Sequence, residues 1–268
     1  MCYYNGVKVT KETKIRLKAL EKFTRDYDFL DNPLYIGPNY PKIPVMRRMP
    51  GQEDFEVVMK EWGFLPPYIQ TEDRVAQFRT DYITLNAKVE NLFVNDDGKE
   101  SLYAEAAMQR RCLIPSTHFF DWRHLYVRGK GGKVLKKTEA YPYLIRLKEQ
   151  EIFYFAGIWN PNPLKGDTIS IVTTEANLAM TQIHNLKKRM PTILTEELAW
   201  EWMFNEKLSR ADIQSIGSFQ IDSLRMEYFA VDQNFITAED PMKPVQYPEV
   251  PPIGGGDDFL ITPQLNLF

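Results

Sequence analysis

The chain has 268 residues, of which 44% are hydrophobic, so it can bury a sizeable core in one large domain or two small ones. Its formal charge of −3 excludes a globally basic surface, and a nucleic-acid site would have to be a local patch. The two cysteines, Cys2 and Cys112, form no CxxC pair, which argues against a disulfide scaffold or a zinc site and indicates a reducing compartment.

The N-terminal half mixes predicted strands and helices. Residues 1–9 lack the pattern of a signal peptide, and no apolar run approaches the roughly 20 residues of a membrane span, so a soluble cytoplasmic protein is expected. Leu17, Leu20 and Phe23 recur at a spacing of three and predict a helix over residues 11–26. The other elements of this half are a strand at 55–62, an extended segment at 81–94, a helix at 101–110, and strands at 112–115 and 119–122.

The C-terminal half continues this mixture without regular alternation of strand and helix. Residues 128–137 are rich in Gly and Lys and predict a loop or hairpin tip. The remaining elements are strands at 141–147, 152–159 and 168–174, and helices at 177–184 and 196–204. Short turns between many strands are typical of a mainly antiparallel α+β domain, expected to span residues 1–240. The five prolines of residues 241–252 and the glycines after them predict a flexible tail from 241 to the end.

Cys2 is the first candidate for chemistry. It follows Met1 directly, and cytosolic processing usually removes a Met before a side chain this small. Cys2 would then carry an α-amine and a thiol on adjacent carbons, a pair that condenses with an aldehyde to an imine and closes to a thiazolidine. The alternative is a second-position cysteine without a role, and Cys112 is expected to be a buried, inert thiol.

Two polar candidates lie in predicted strands. Asn86 stands two residues before Lys88, so an amide could orient an intermediate while an ammonium meets a phosphate. Asp121 lies in an aromatic run, where desolvation raises a carboxyl pKa and favours a general acid or base. The alternatives are a surface strand for Asn86 and Lys88, and a hydrogen-bonded strand end for Asp121.

Two further candidates flank turns. His184 falls where a predicted helix ends and precedes a basic cluster at 187–189, which suits a proton shuttle or simply a helix cap with solvated lysines. Trp62 precedes a Gly/Pro turn and could stack on a base, or belong to the core. His118 and His124 are expected to be surface or structural residues.

Taken together, these residues make the chain resemble a bacterial member of the SRAP family, the SOS-response-associated peptidase-like or abasic-site processing proteins. The motifs that carry the resemblance are Met-Cys at the N-terminus, W-G-F-L-P at 62–66, N-A-K at 86–88, R-R-C-L-I-P at 110–115, F-F-D-W at 119–122, T-T-E-A-N at 173–177, and I-H-N followed by R-M-P-T-I-L at 189–194. The resemblance implies a single α+β domain with a barrel-like β core, flanking helices and a positively charged groove.

The resemblance also implies a function. It implies binding of single-stranded DNA with an abasic site and a covalent thiazolidine crosslink through Cys2, with possible reversal, strand cleavage as a lyase, and peptidase-like self-processing. The roles it implies are Asn86 orienting the intermediate, Asp121 as catalytic acid, His184 as catalytic histidine, Lys88 and Arg189 as phosphate contacts, and Trp62 as a flank of the lesion. No metal or other cofactor is implied, and a monomer is expected.

The sequence departs from the family pattern at three of these positions. Asp121 stands where the family usually has Glu, which shortens the carboxylate by one methylene. Lys88 stands where Arg is usual, which removes a bidentate phosphate fork. The link between His184 and Arg189 is longer than the usual H-x-R-M-P, which could shift either side chain.

Two other functions stay open at this point. An N-terminal-nucleophile cysteine hydrolase would use Cys2, His184 and Asn86 on an amide substrate. A non-enzymatic reader of modified bases or single strands would not need Cys2 at all.

The C-terminal pentapeptide predicts a protein partner. Its sequence, Q-L-N-L-F at 264–268, resembles the peptides by which bacterial polymerases and repair proteins bind the β sliding clamp. Leu265, Leu267 and Phe268 would enter an apolar pocket, Gln264 would add hydrogen bonds, and the tail before them would supply reach. The alternative is an apolar chain end without a role.

Overall fold

A computed structural model describes residues 2–27, 29–128 and 134–254. Within these ranges the chain forms fifteen strands and five α-helices. The strands are β1 Tyr4–Lys8, β2 Lys14–Leu17, β3 Leu20–Phe23, β4 Asp31–Ile36, β5 Lys42–Arg48, β6 Phe55–Trp62, β7 Asn86–Lys88, β8 Arg111–Ser116, β9 His118–Arg128, β10 Val134–Leu147, β11 Phe153–Asn162, β12 Gly166–Glu175, β13 Arg189–Pro191, β14 Ile193–Leu194 and β15 Met226–Ala230. The helices are α1 Glu72–Asp81, α2 Ala104–Gln109, α3 Leu178–Ile183, α4 Glu196–Phe204 and α5 Arg210–Gly217.

The core of the fold is a closed barrel of five strands. Around the ring, β12 pairs with β6, β6 with β5, β5 with β8, β8 with β11, and β11 with β12 again. The β12–β6 pair is parallel and the other pairs of the ring are antiparallel. Helices α2, α4 and α5 contact the barrel from outside. Strand β8 is therefore buried at every residue, which explains the apolar run of its four central residues, Cys112 to Pro115.

A five-stranded sheet in the order β15-β10-β9-β1-β4 lies beside the barrel. Strand β1 pairs antiparallel with β9, with Tyr4 opposite Phe120. This pairing sets the start of the chain next to Asp121, one residue further along β9. The α+β class with a mainly antiparallel, barrel-like core, predicted from the sequence, is confirmed.

The helix predicted over residues 11–26 is wrong, because β2 and β3 form a hairpin there. Leu17 and Leu20 face each other across a two-residue turn, so a spacing of three marks the ends of the turn rather than one face of a helix. Lys18 takes the left-handed conformation that such a turn needs, with φ 52°. The strand at 55–62 and the helix at 196–204 match the predicted bounds.

Strands β9 and β10 pair antiparallel on either side of the segment predicted as a loop or hairpin tip, with Val134 opposite Arg128, which fits the hairpin alternative. Residue 128 ends β9 and residues 134–137 begin β10, so the prediction of a loop is wrong for those positions. Helix α1 was not predicted, because only Val75 and Phe78 are buried among its ten residues and the apolar periodicity is correspondingly weak.

The prediction of a flexible tail from residue 241 is also wrong for residues 241–254, because these residues pack on the domain. Val245 N–H donates to the Ala230 carbonyl at 2.9 Å, extending the edge at β15. The buried Arg123 donates to the Pro251 carbonyl at 2.5 Å, and Tyr247 stacks edge-on against Tyr141. Proline fits at position 251 because the contact there uses the carbonyl, which proline keeps, rather than an N–H group. The pentapeptide at 264–268 lies outside the described residues.

Across the part of the chain that the structure covers, no helix combines the length and the apolar character required to cross a membrane.

Candidate active site

Cys2 lies in the interior, at the point where the chain enters β1. Its side chain has no exposed surface, and its thiol points to the Tyr4 carbonyl at 3.7 Å. The Tyr3 carbonyl accepts from Gly37 N–H at 2.8 Å, which fixes the segment before the strand begins. Met1 lies outside the described residues.

Asn86 contacts Cys2 directly. Its Nδ2 donates to the Cys2 carbonyl at 2.9 Å, and its Oδ1 is buried without a hydrogen-bond partner among the described residues. Strand β7 brings the amide there by pairing in parallel with β12, where Asn86 stands opposite Ile171. One end of the Asn86 amide therefore holds the cysteine backbone, and the other remains available to a ligand.

Trp62 is fully buried, so the prediction that it stacks on a base is wrong and the alternative of a core residue holds. Its Nε1–H donates to the Leu85 carbonyl at 2.8 Å, one residue before Asn86. A Cβ on Gly37 would lie 3.2 Å from the edge of the indole and 3.0 Å from the Tyr3 carbonyl. Trp62 is thus a core residue beneath the site that supports the segments carrying Cys2 and Asn86.

Asp121 is a buried carboxylate on β9, only 4% exposed. Its Oδ1 accepts from Trp122 N–H at 2.8 Å, while its Oδ2 is buried without a hydrogen-bond partner among the described residues. Burial raises the pKa of the Cys2 thiol to about 12, and the Asp121 charge adds to this increase. The same two causes raise the pKa of Tyr3 and of Tyr4, so the carboxylate acts electrostatically on the whole N-terminal segment.

His184 follows the last residue of α3 and is 9% exposed. Asn177 precedes helix α3, and its side chain caps the helix by accepting from Met180 N–H at 3.0 Å. The His184 Nδ1 lies 3.1 Å from Arg189 N and 2.9 Å from Arg189 O, so the Arg189 backbone can serve either tautomer. Burial lowers the pKa of His184, and the Asp121 charge opposes that change. The imidazole is consequently neutral at pH 7 and able to accept a proton.

Asp121 and His184 share a cavity of about 170 Å³. Its lining consists of aromatic rings, the acid, two histidines and one loop, contributed by Tyr3, Tyr4, Phe120, Asp121, Trp122, His124, His184, Leu186 and Lys187. Cys2 lies next to this lining, and its thiol feels the Asp121 charge. The structure therefore brings together the four predicted catalytic residues, Cys2, Asn86, Asp121 and His184.

The two predicted phosphate contacts differ in outcome. Lys88 is exposed at the end of β7. Arg189 is 8% exposed and forms a two-pronged ion pair with Glu90, at 2.6 and 3.0 Å, while a third bond reaches the Thr173 carbonyl. In this arrangement the Arg189 guanidinium is buried and paired with Glu90, so it has no free charge to offer a phosphate.

The long link after His184 folds into a tight turn. Lys188 is left-handed, with φ 49°, and its N–H donates to the His184 carbonyl at 2.8 Å. Asn185, which the sequence analysis did not select, accepts from His124 N–H at 3.0 Å and donates to the His124 carbonyl at 2.6 Å. The turn is thereby joined to β9, and the extra residues leave His184 beside Asp121. The sequence signal for Asn185 was its place in the I-H-N motif, directly after the histidine.

His118 and Cys112 have structural environments, as expected. Both nitrogens of His118 are bonded, to Thr117 Oγ1 at 2.8 Å and to the Pro33 carbonyl at 2.7 Å. Cys112 is fully buried in β8. No group of three or more potential metal ligands is arranged for an ion in residues 2–27, 29–128 and 134–254.

The barrel, its flanking sheet and the buried cysteine centre define an α+β protein with a site at its N-terminus. The family model of the SOS response associated peptidases (SRAP) matches residues 3–236. The chain belongs to the SRAP family.

Similar proteins and structures agree with this assignment. The abasic site processing protein YoqW of Bacillus subtilis is 30% identical over 178 residues, 61% of this chain and 68% of that protein. YobE, an abasic site processing protein of the same species, is 29% identical over 159 residues, 58% and 62% of the two chains. A crystal structure of a Bacteroides thetaiotaomicron protein has a TM-score of 0.67 and 25% identity, covering 91% of this chain and 97% of that one. A Bordetella bronchiseptica protein, at 0.60 and 17%, covers 87% and 100% and shows the shared fold.

Proposed function

We propose that this chain processes abasic sites in single-stranded DNA and forms a covalent thiazolidine crosslink through Cys2. The observation that carries the proposal is a set of linked contacts: Asn86 donates to the Cys2 carbonyl, the Asp121 charge acts on the buried Cys2 thiol, and His184 lines a cavity with Asp121. The names of the similar proteins YoqW and YobE support the substrate class. The chemistry requires removal of Met1, which frees the Cys2 amine.

The first step is attack of the Cys2 amine on the aldehyde of the ring-opened abasic sugar. The addition product loses water to give an imine, and this step needs a proton on the departing hydroxyl. That proton comes from the amine nitrogen, which becomes positively charged on attack. Asp121 and His184 line the same cavity and are positioned to accept the proton there and pass it to the hydroxyl. Asn86, with its free Oδ1, is positioned to hold the polar intermediate.

Ring closure follows from the thiol. The S–H adds across the C=N bond, sulfur to carbon and hydrogen to nitrogen, so that one water is the only product lost overall. Reversal of the same steps would release the DNA. Loss of the C2′ proton from the imine would instead break the C3′–O bond, expel the 3′-phosphate and cleave the strand. Peptidase-like self-processing before Cys2 would use the same groups, and all three activities are part of the proposal.

The protonation state of the thiol favours a mechanism in which the amine attacks first over the mechanism of a cysteine hydrolase, in which the thiolate attacks first. A hydrolase begins with thiolate attack on an amide. The pKa of the Cys2 thiol is raised to about 12, so the thiol is protonated at pH 7. An amine-first mechanism needs the thiol only after the imine has formed.

The test compares three single-stranded oligonucleotides of identical sequence, with an abasic aldehyde, its borohydride-reduced alcohol, or an intact base. We expect an adduct that survives heat and SDS with the aldehyde alone. Mass spectrometry of the adduct should give the sum of protein from Cys2 onward and DNA, less one water. Equal adduct with the reduced alcohol, or active protein that retains Met1, would contradict the mechanism.

We also propose that the pentapeptide at 264–268 binds the β sliding clamp, which would deliver a monomeric enzyme to the replication fork in the cytoplasm. A peptide of residues 259–268 should bind the clamp with roughly micromolar affinity. A matched peptide with Leu265 and Phe268 changed to Ala is the control. Deleting residues 264–268 should abolish clamp binding and leave crosslinking to free oligonucleotides intact.

A further inference from the structure

The site poses an electrostatic problem for a polyanionic substrate. Asp121 brings a buried negative charge to the cavity, and its neighbour His184 is neutral. Arg189, the arginine nearest to His184 in sequence, is paired with Glu90. DNA that brings its sugar to Cys2 must place phosphates near Asp121, so another cation is needed at the rim.

Lys187 is a cation of this kind. Its side chain is exposed, lines the cavity with Asp121 and His184, and has no ion-pair partner within the described ranges. Burial is the main cause of the lowered pKa of His184, and the Lys187 charge contributes to it. The two side chains are therefore close enough to interact across the cavity.

The backbone around Lys187 is fixed, although its side chain is free. On one side, Asn185 holds both backbone groups of His124 on β9. On the other, Lys188 donates to the His184 carbonyl at 2.8 Å and accepts from Ala176 N–H at 2.9 Å. A cation on a preformed turn loses less entropy on binding than one on a mobile loop.

Leu186 supplies an apolar surface next to this cation. It is 40% exposed and lines the same cavity. An isolated exposed leucine needs no explanation. A leucine beside an unpaired lysine at the mouth of a cavity is different, because the lysine can bind the phosphate of a nucleotide while the leucine contacts its apolar sugar or base.

We propose that the turn at 184–188 is the DNA-binding edge of the site, where Lys187 binds a backbone phosphate next to the abasic residue and Leu186 contacts the adjoining sugar or base. The proposal rests on the proposed function for the identity of the substrate. It assigns phosphate binding to Lys187 in place of Arg189.

The test measures affinity without chemistry. The probe is single-stranded DNA with a tetrahydrofuran abasic analogue, which has no aldehyde and cannot crosslink. Lys187→Ala should weaken binding about fivefold to tenfold and reduce the slope of log K against log salt by about 0.7, the value for one phosphate contact on a single strand. Lys187→Arg should stay near the wild type. Lys207→Ala, an exposed lysine on the loop after α4, is the matched control and should change neither quantity.

A second arm separates this proposal from the proposed function. With natural abasic DNA, Lys187→Ala should lower the affinity by a larger factor than it lowers the crosslinking rate at saturating DNA. A variant with unchanged affinity and salt slope, or with a loss in rate alone, overturns the assignment. If the wild type forms no crosslink, the proposed function fails, and the binding series still decides whether Lys187 contacts phosphate.

Discussion

The surroundings of the two cysteines differ although their burial does not. Cys2 and Cys112 are both without exposed surface, and burial raises the pKa of both thiols. A Cβ on Gly157 would lie 3.0 Å from Cys112 Sγ, and the Cys112 carbonyl accepts from Trp202 Nε1 at 3.1 Å. Around Cys2 there are instead a buried carboxylate and an amide with unused hydrogen-bonding atoms.

The comparison teaches that burial does not identify a reactive cysteine. Both thiols rest in the protonated form, so neither is a ready nucleophile by itself. What distinguishes Cys2 is its position next to groups that can move protons, together with the amine that Met1 removal would expose. The tests below run from the largest expected difference between these environments to the smallest.

Replacing each cysteine by alanine should give the largest contrast. Cys2→Ala should abolish the stable adduct, because no thiol remains to close the ring, and should leave only an imine that borohydride can trap. Cys112→Ala should keep the normal yield of adduct and lose about 1 kcal/mol of stability to the small cavity it leaves. Denaturing gels with and without borohydride measure both yields. A full yield of stable adduct from Cys2→Ala would show that the ring-closing role is wrong.

The two proton-transfer groups should come next in size. Asp121→Asn and His184→Ala should each slow crosslinking at saturating DNA by 10² or more, the usual range for general acid–base catalysis, because the imine steps lose their proton carrier. Affinity for the tetrahydrofuran analogue should change much less. Single-turnover rates and equilibrium binding on the same oligonucleotide separate the two effects. Equal losses in rate and affinity would mean that these residues shape the site rather than move protons.

The sequence predicted the elements and the site better than it predicted how side chains are used. Local patterns identified the strand at 55–62 and the helix at 196–204, since their signals lie within the segment itself. The hairpin within residues 11–26 depends on pairing between its two strands, and the spacing of apolar residues alone does not predict that pairing. The burial of Trp62 and the pairing of Arg189 with Glu90 arise from contacts between segments far apart in the chain. Such contacts reassign residues that a motif alone would give to DNA.

A pH test contrasts the structural His118 with the site. Burial lowers the pKa of His118 from 6.5 to about 4, which corresponds to about 3 kcal/mol. Because the unfolded chain takes up the proton first, this stability is complete above pH 6.5 and is lost as the pH falls from 6.5 towards 4. Urea unfolding measures how much unfolding free energy each protein loses between pH 7 and pH 4.5. This loss should be about 2 to 3 kcal/mol smaller in His118→Gln than in the wild type. His184 is common to both proteins and cancels in this difference, so equal losses would contradict the assignment.

The smallest expected effect belongs to Trp62, which resembles Cys112 in being buried and structural. Trp62→Phe keeps an aromatic ring in the core but removes the indole donor, leaving the Leu85 carbonyl without its 2.8 Å partner. The loss of one buried hydrogen bond should lower the free energy of unfolding by about 1 to 3 kcal/mol.

Affinity for abasic single strands should remain unchanged, because the ring has no exposed face for a base. A residue that stacks on a base would instead lower affinity on replacement by alanine by about 1 to 3 kcal/mol per base. Measuring stability and affinity on the same Trp62→Phe protein, with Trp62→Ala examined under conditions where it stays folded, separates support from contact. A drop in affinity without a drop in stability would return Trp62 to the DNA-binding surface.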